Sequence, residues 1–269
     1  MNSIAPIYTA ENCRAAYQLN WALSLFANGP LPDRGMWFND LRQATEADGV
    51  RILELRFASE RVLLFLTSTL PQVSPAEIVR SVKGRLQHAV RAQVPKAFRR
   101  NYRLESVGSA KADVIETYVA SQTARHPVAD PRVQQAIVAM QIENPDVDLS
   151  EIRYSAHGQF IHNLHVVLEH EGGWREIAPE RLQATHDMLQ GVCAKHGYLL
   201  SRAGIVADHL HMTLGCGMDD SPQDVALCFL NNLAFNYDMK AIFKFGYYVG
   251  TFGSFDLGAI WEAHRDAQR

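Results

Sequence analysis

The chain lacks most of the markers that would place it outside the cell, in a membrane or on a nucleotide. Its 269 residues include only four cysteines, Cys13, Cys193, Cys216 and Cys228, and none forms a CxxC pair. That argues against a disulfide scaffold and a zinc ribbon, and for free thiols in a cytoplasmic protein. No apolar run approaches the roughly 18 residues of a spanning helix, so no membrane partner is expected. The opening Met1-Asn2-Ser3-Ile4 has no basic patch leading into an apolar stretch, so no signal peptide is expected. There is no Walker loop, no GxSxG and no dinucleotide fingerprint.

What is present is an ordinary globular composition, 47% apolar and 20% charged, enough for a real core. The charge is unevenly divided. Residues 1–126 carry 16 Lys/Arg and 11 Asp/Glu, net +5, whereas residues 127–269 carry 10 and 18, net −8. If either half meets an anion it is the first, although two halves can also drift apart in charge by chance.

An internal repeat organises the sequence. Ser74-Pro75-Ala76-Glu77-Ile78-Val79 recurs as Ser221-Pro222-Gln223-Asp224-Val225-Ala226. Each opens a helix, with Ser as N-cap, Pro at the first helical position and an acid three residues after the cap. A strand-like run precedes each helix: Phe57–Phe65 aligns with Val206–Leu214. After each helix, Tyr102 to Gly108-Ser109 aligns with Tyr247 to Gly253-Ser254. The offsets are 149, 147 and 145 residues, a drift that small loop deletions produce. Earlier in each half come a strand, Tyr17–Leu25 or Phe160–Leu168, and a helix, near Gly35–Ala47 or Pro179–His196. The expected fold is α+β: two tandem ferredoxin-like sandwiches of antiparallel sheet and helices forming a pseudo-dimer. The expected repeats are 1–126 and 151–269. Between them, 127–150 is a proline-containing linker around one short helix, Arg132–Gln141.

Two pairs of residues could carry chemistry. His209 and His211 are i and i+2 on a strand, so both imidazoles face one side and can reach one metal ion. Two half-buried histidines bonded to neighbours would give the same pattern. Tyr118 and Gln122 are i and i+4 on a terminal helix within Ala110–Thr123. A tyrosine can attack phosphorus and a carboxamide oxygen can ligate a hard cation, but an ordinary surface pair has this spacing too. Asp208 could orient one of the histidines or simply end a strand. His162 and His165, three apart on a strand, face opposite sides and make a poor chelate. His157, His170 and His186 have no partners that the sequence identifies.

The order of these elements, with the His-x-His strand and the Tyr-x3-Gln helix, resembles the single-tyrosine HUH transposases, the insertion sequence 200-like and REP-associated enzymes. The resemblance runs from Tyr17 to Gln122 and again from about Phe160 to His264. It implies a dimeric α+β sandwich acting on single-stranded DNA hairpins. It also implies a divalent metal, Mg2+ or Mn2+ with Zn2+ also able to bind, held by His209, His211 and Gln122. Tyr118 would form a 5′-phosphotyrosine link to cleaved DNA.

Each half departs from the family where the other matches it. In the alignment the histidine positions of the first half hold Glu60 and Val62; the tyrosine and glutamine positions of the second hold Ala263 and Ala267. Family dimers can complete each site in trans, so a fused dimer would keep one composite site and one dead one. From Arg80 to Arg103 there are eight basic residues, Arg80, Lys83, Arg85, Arg91, Lys96, Arg99, Arg100 and Arg103, with no acid among them. Leu227, Leu230 and Asn232 stand at the positions of Arg80, Lys83 and Arg85 in the second half, so phosphate grip is expected in the first. Tyr102 and Phe98 could add base stacking, with core packing an equal reading of Phe98. The leading expectation is a cytoplasmic, monomeric pseudo-dimer that cuts and rejoins single-stranded or hairpin DNA, with further dimerisation open. The alternatives are an inactive, domesticated DNA-binding or regulatory protein, and an unrelated α+β module with structural zinc at His209 and His211.

Overall fold

The structure is a computed structural model that describes residues 5–58 and 60–255. β1 (Arg14–Gln18) leads through Leu19 into β2 (Asn20–Ala27), followed by α1 (Phe38–Ala47), β3 (Val50–Ala58), β4 (Arg61–Ser68), α2 (Pro75–Val90) and β5 (Phe98–Val107). Three short helices come next, α3 (Ala112–Ala120), α4 (Gln122–Arg125) and α5 (Pro131–Ala139), then two short strands, β6 (Ile142–Glu143) and β7 (Arg153–Tyr154). The chain continues as β8 (Gly158–Ile161), β9 (Asn163–Glu169), α6 (Pro179–His196), β10 (Leu199–Ile205), β11 (His209–Gly215), α7 (Pro222–Phe235) and β12 (Gly246–Thr251).

Local chemistry fixes the main helices. Ser74 caps α2 in a capping box: its hydroxyl accepts the Glu77 N–H, and the Glu77 carboxylate accepts the Ser74 N–H at 2.9 Å. Ser221 caps α7 by accepting the Asp224 N–H at 3.1 Å. A cap of this kind contributes about 1 kcal/mol. α6 starts at Pro179 and stops where Gly197 turns left-handed, at φ 71°. The apolar stripe of α2, including Ile78, Val82 and Leu86, is buried against the first sheet, and that of α7, including Val225, Phe229 and Leu233, against the second.

Two six-stranded sheets result, ordered β3-β4-β2-β5-β8-β7 and β1-β12-β9-β11-β10-β6. Four adjacent strands of each follow one plan. β2-α1-β3-β4-α2-β5 and β9-α6-β10-β11-α7-β12 are both β-α-β-β-α-β units of ferredoxin-like order. The strands expected at Tyr17–Leu25 and Phe160–Leu168 are each divided, at Leu19 and at His162. The division hands β1 to the second sheet, parallel to β12, and β8 to the first, parallel to β5.

The hand-over is reciprocal. Asn20 N–H donates to Thr251 Oγ1 at 2.8 Å and Asn163 N–H to Ser106 Oγ at 3.1 Å. In turn Thr251 Oγ1 donates to the Val107 carbonyl and Ser106 Oγ to that of Phe252, both at 2.7 Å. Two glycines let the backbones meet here. A Cβ on Gly253 would collide with Ser106 O, and one on Gly108 would lie 2.9 Å from Thr251 O. Among the described residues no helix is long and apolar enough to cross a membrane.

Candidate active site and metal centre

The functional side chains gather on the face of the second sheet that α6 and α7 leave uncovered. Along β11, Leu210, Met212 and Leu214 enter the core, so His209, His211 and Thr213 point the other way. On β9 beside it, Leu164, Val166 and Leu168 are core, and His165 shares the histidine face. α3 and α4 pack against β10, and α3 also against β11. Ala112 N–H bonds to Gly253 O at 3.0 Å, and Ser201 Oγ donates to the Glu116 carboxylate at 2.6 Å. Gly204 on β10 permits the close approach: a Cβ there would stand 2.8 Å from Val119 O and 3.0 Å from Gln122 Cγ.

Docking of α3 and α4 carries Tyr118 and Gln122 onto the histidines. The Tyr118 ring stands edge-on to His211, centroids 5.3 Å apart at 85°. Arg125 lies over the same ring, 5.0 Å from its centroid. Gln122 is fully buried; its Nε2 donates to Tyr118 O at 3.1 Å and its Oε1 lies 3.3 Å from His209 Nε2. The helix breaks at Ser121, yet this amide bond keeps Tyr118 and Gln122 on one side.

The hydrogen bonds decide which ring nitrogens are available. His209 Nδ1 lies 2.7 Å from Asp208 Oδ1. A carboxylate only accepts, so Nδ1 carries the proton and Nε2 offers a lone pair. That lone pair faces the Gln122 carboxamide oxygen, a second acceptor. Turning the amide over only moves the conflict to the Tyr118 carbonyl. A cation ligated by both atoms resolves it, as does a second proton on His209. The site therefore fits a divalent ion on its own geometry, and a mixed imidazole and amide-oxygen set suits Mn2+ or Mg2+, with Zn2+ also able to bind. His211 Nδ1 lies 3.0 Å from His165 Nε2, and the two rings stack with centroids 5.2 Å apart. A proton on His211 Nδ1 frees its Nε2 as a ligand and makes His165 the group that orients it. Burial, reinforced by His165, His209 and His126, pushes the His211 pKa down to about 3. Burial likewise takes His165 down to about 4. Both rings are neutral at neutral pH, the form that binds metal.

Several neighbours were not read from the sequence. His165 reaches His211 diagonally across the β9–β11 pairing, where Thr213 opposes His165 and His211 opposes Val167. His126 stands edge-on to His209, centroids 4.7 Å apart. Ligand atoms of His126, Asp208 and His209 all lie within 4.8 Å of one another, so these three can also hold an ion. Here the sequence did carry a signal, because 126 continues the 118, 122 helical spacing. Burial raises the Asp208 pKa, but its His209 hydrogen bond and the charges of His209 and His126 outweigh that and hold it below the usual carboxylate value. The groups open onto a cleft of about 420 Å³ that Tyr118, His209 and His211 share with His170, Trp174 and Lys244.

The histidine positions of the first half need a correction. Val62, Leu64 and Leu66 enter the first core as Leu210, Met212 and Leu214 enter the second. Asn20 opposes Thr67 as Asn163 opposes Gly215. Arg61 and Leu63 therefore match His209 and His211, one residue on from Glu60 and Val62. A slip of one residue exchanges the faces of a strand, and Val62 is core. The first half still has no histidine pair. Ala263, Ala267 and His264 lie outside the described residues.

The basic run is less free than its sequence implies, because acids from its own elements and from elsewhere in the fold reach it. Arg85 pairs with Asp48 at 2.8 Å, Arg99 with Glu60 at 2.5 Å, Arg80 with Glu77 at 3.4 Å, and Arg103 with Glu105. Lys83 Nζ donates to Arg100 O at 2.6 Å. Arg91, Lys96 and Arg100 are exposed. Arg80, Lys83, Arg99 and Arg100 line a separate cleft of about 550 Å³ with Phe98 and Tyr102. Tyr102 Oη lies 2.9 Å from Ser155 Oγ, and both aromatics pack partly against the first core.

The ferredoxin-like α+β fold thus brings a tyrosine and glutamine helix onto a His-x-His strand. Residues 38–122 match the family model described as "Transposase IS200 like". The likeness of this segment to the single-tyrosine HUH transposase family supports a transposase-like, DNA-processing function. The match ends at Gln122, so it includes Tyr118 and excludes His209 and His211. No curated protein matches the chain. A crystal structure of an unknown protein from Galdieria sulphuraria is similar over 87% of this chain and 98% of its own. Its identity is 7% and its TM-score 0.20, too slight a likeness to define the fold.

Proposed function

We propose that the chain is an internally duplicated single-tyrosine HUH nuclease that cuts and rejoins single-stranded or hairpin DNA at one composite site. Its repeats are 1–126 and 151–269, joined by 127–150, and one chain does the work of a family dimer. One observation carries the reading. Tyr118 and Gln122, from before the linker, lie against His211 and His209, from after it, at 5.3 Å between ring centroids and 3.3 Å between polar atoms.

The chemistry follows from the side chains. Tyr118 Oη attacks a backbone phosphorus and the bond to the 3′ oxygen breaks, leaving a 5′-phosphotyrosine. The phenol proton leaves through the open cleft and the departing 3′ oxygen takes one up. Attack by a 3′-hydroxyl on the phosphotyrosine reverses the step and rejoins DNA. A divalent ion held by His209, His211 and Gln122 would offset charge on a nonbridging phosphate oxygen. His165 and Asp208 fix the two imidazoles, and Arg125 holds the tyrosine ring. Arg91, Lys96 and Arg100, which are exposed and show no ion pair among the described residues, supply phosphate contacts in this reading, with Arg80, Lys83, Arg85, Arg99 and Arg103 beside them.

The test is a denaturing gel after incubation with hairpin oligonucleotides and Mn2+. A covalent protein–DNA adduct is expected, abolished by chelator and by Tyr118→Phe. An adduct that survives Tyr118→Phe overturns the assignment. Salt-sensitive hairpin binding with no adduct and no response to chelator supports instead the inactive DNA-binding derivative.

A further inference from the structure

We infer that Trp174 is a stacking platform for an unpaired base next to the phosphate that Tyr118 attacks. The inference rests on the nuclease reading above and adds a nucleotide subsite to it. Trp174 is 49% exposed, whereas Trp21 and Trp37 are 1% and 3% exposed. Its exposure is directed: it lines the same cleft as Tyr118, His209 and His211. The loop that presents it is pinned on both sides. Glu171 N–H bonds to Ile242 O at 2.7 Å and Glu176 N–H to Ala207 O at 2.7 Å. Between these anchors Gly172 and Gly173 both take left-handed conformations, φ 59° and 74°, so the chain turns sharply just before the indole. The indole is thus held on an ordered backbone with much of its surface uncovered.

A large π-face beside a phosphodiester site fits a nucleobase, since every base can stack on it. A base within a duplex is already stacked on both sides, so this subsite selects single strands and unpaired positions near hairpins. It grips the DNA without reading its sequence.

The experiment uses the full chain carrying Tyr118→Phe as the parent, so that no covalent trapping intervenes, and a fluorescein-labelled oligo-dT of about 20 nucleotides. Binding is followed by anisotropy at fixed salt and Mn2+. Adding Trp174→Ala is expected to weaken binding about 5- to 150-fold, the range of one lost base–aromatic stack, and Trp174→Phe to recover most of it. An abasic residue is then walked along the oligonucleotide. At one position it should erase the difference in affinity between the parent and Trp174→Ala. Equal binding by parent and Trp174→Ala, with the Tyr118 adduct still forming in the unsubstituted chain, overturns the stacking role and leaves the nuclease reading standing. A loss that no abasic position reproduces also overturns it. Absence of both oligonucleotide binding and adduct overturns the two together.

Discussion

At the scale of single residues, the second half is rich in histidines that the fold keeps neutral. His162 sits where β8 becomes β9, fully buried, with Nδ1 2.8 Å from Gly217 O and its ring 5.3 Å from that of Trp21. Its Nε2 has no hydrogen-bond partner among the described residues. Burial takes its pKa from 6.5 down to about 4. The unfolded chain therefore binds a proton below pH 6.5 that the folded chain refuses until about pH 4. Stability is full above that window and falls as pH drops through it, by up to about 3 kcal/mol from this residue. His165 and His211 act in the same direction. Urea midpoints in chelator should decline from about pH 7 to pH 4, and His162→Asn should make the decline shallower. An unchanged slope would remove His162 from the account.

At the scale of elements, the helix α3 acts as a bridge, and its seat depends on Gly204. Gly204→Ala puts a Cβ 2.8 Å from Val119 O, which α3 can relieve only by moving away. The expected cost is about 1–3 kcal/mol, read in urea, with adduct formation falling further than stability because Tyr118 and Gln122 ride on the displaced segment. Adduct yield equal to that of the parent would show that α3 docks some other way.

What could be read from the sequence divides along the same line of range. The helix starts at Ser74 and Ser221 and the full extent of α6 were legible, because caps, Pro179 and Gly197 act within one turn. The facing of His209 and His211 was legible from strand alternation alone. Leu19 and His162 gave no warning that a strand changes sheet, since the apolar pattern runs on through both. His165 stayed hidden because its partner is fixed by the β9–β11 register, and the carboxylates on Arg85 and Arg99 come from Asp48 and Glu60, distant in the chain.

At the scale of the whole molecule, the proposed site draws Tyr118 and its histidines from opposite sides of residues 127–150 within one chain. Mixing Tyr118→Phe and His209→Ala proteins should therefore restore no adduct, since each chain seats its own α3 on its own β11. Restored adduct would show exchange of α3 between chains. Mass spectrometry should likewise find at most one oligonucleotide per chain, because the first half has Arg61 and Leu63 where a second histidine pair would stand.

The pairing of β1 with β12 also sets the order in which the protein can be completed. Arg14 opposes Gly246, so β1 finds its partner more than two hundred residues further along the chain. Contacts so distant along the chain form slowly, after closer ones have organised the surroundings. β2 can join the first sheet early, while β1 waits beside it for β12. Capture of β1 is thus expected to follow the pairing of β2. Until it happens, the edge of β12 is open to strands from other nascent chains.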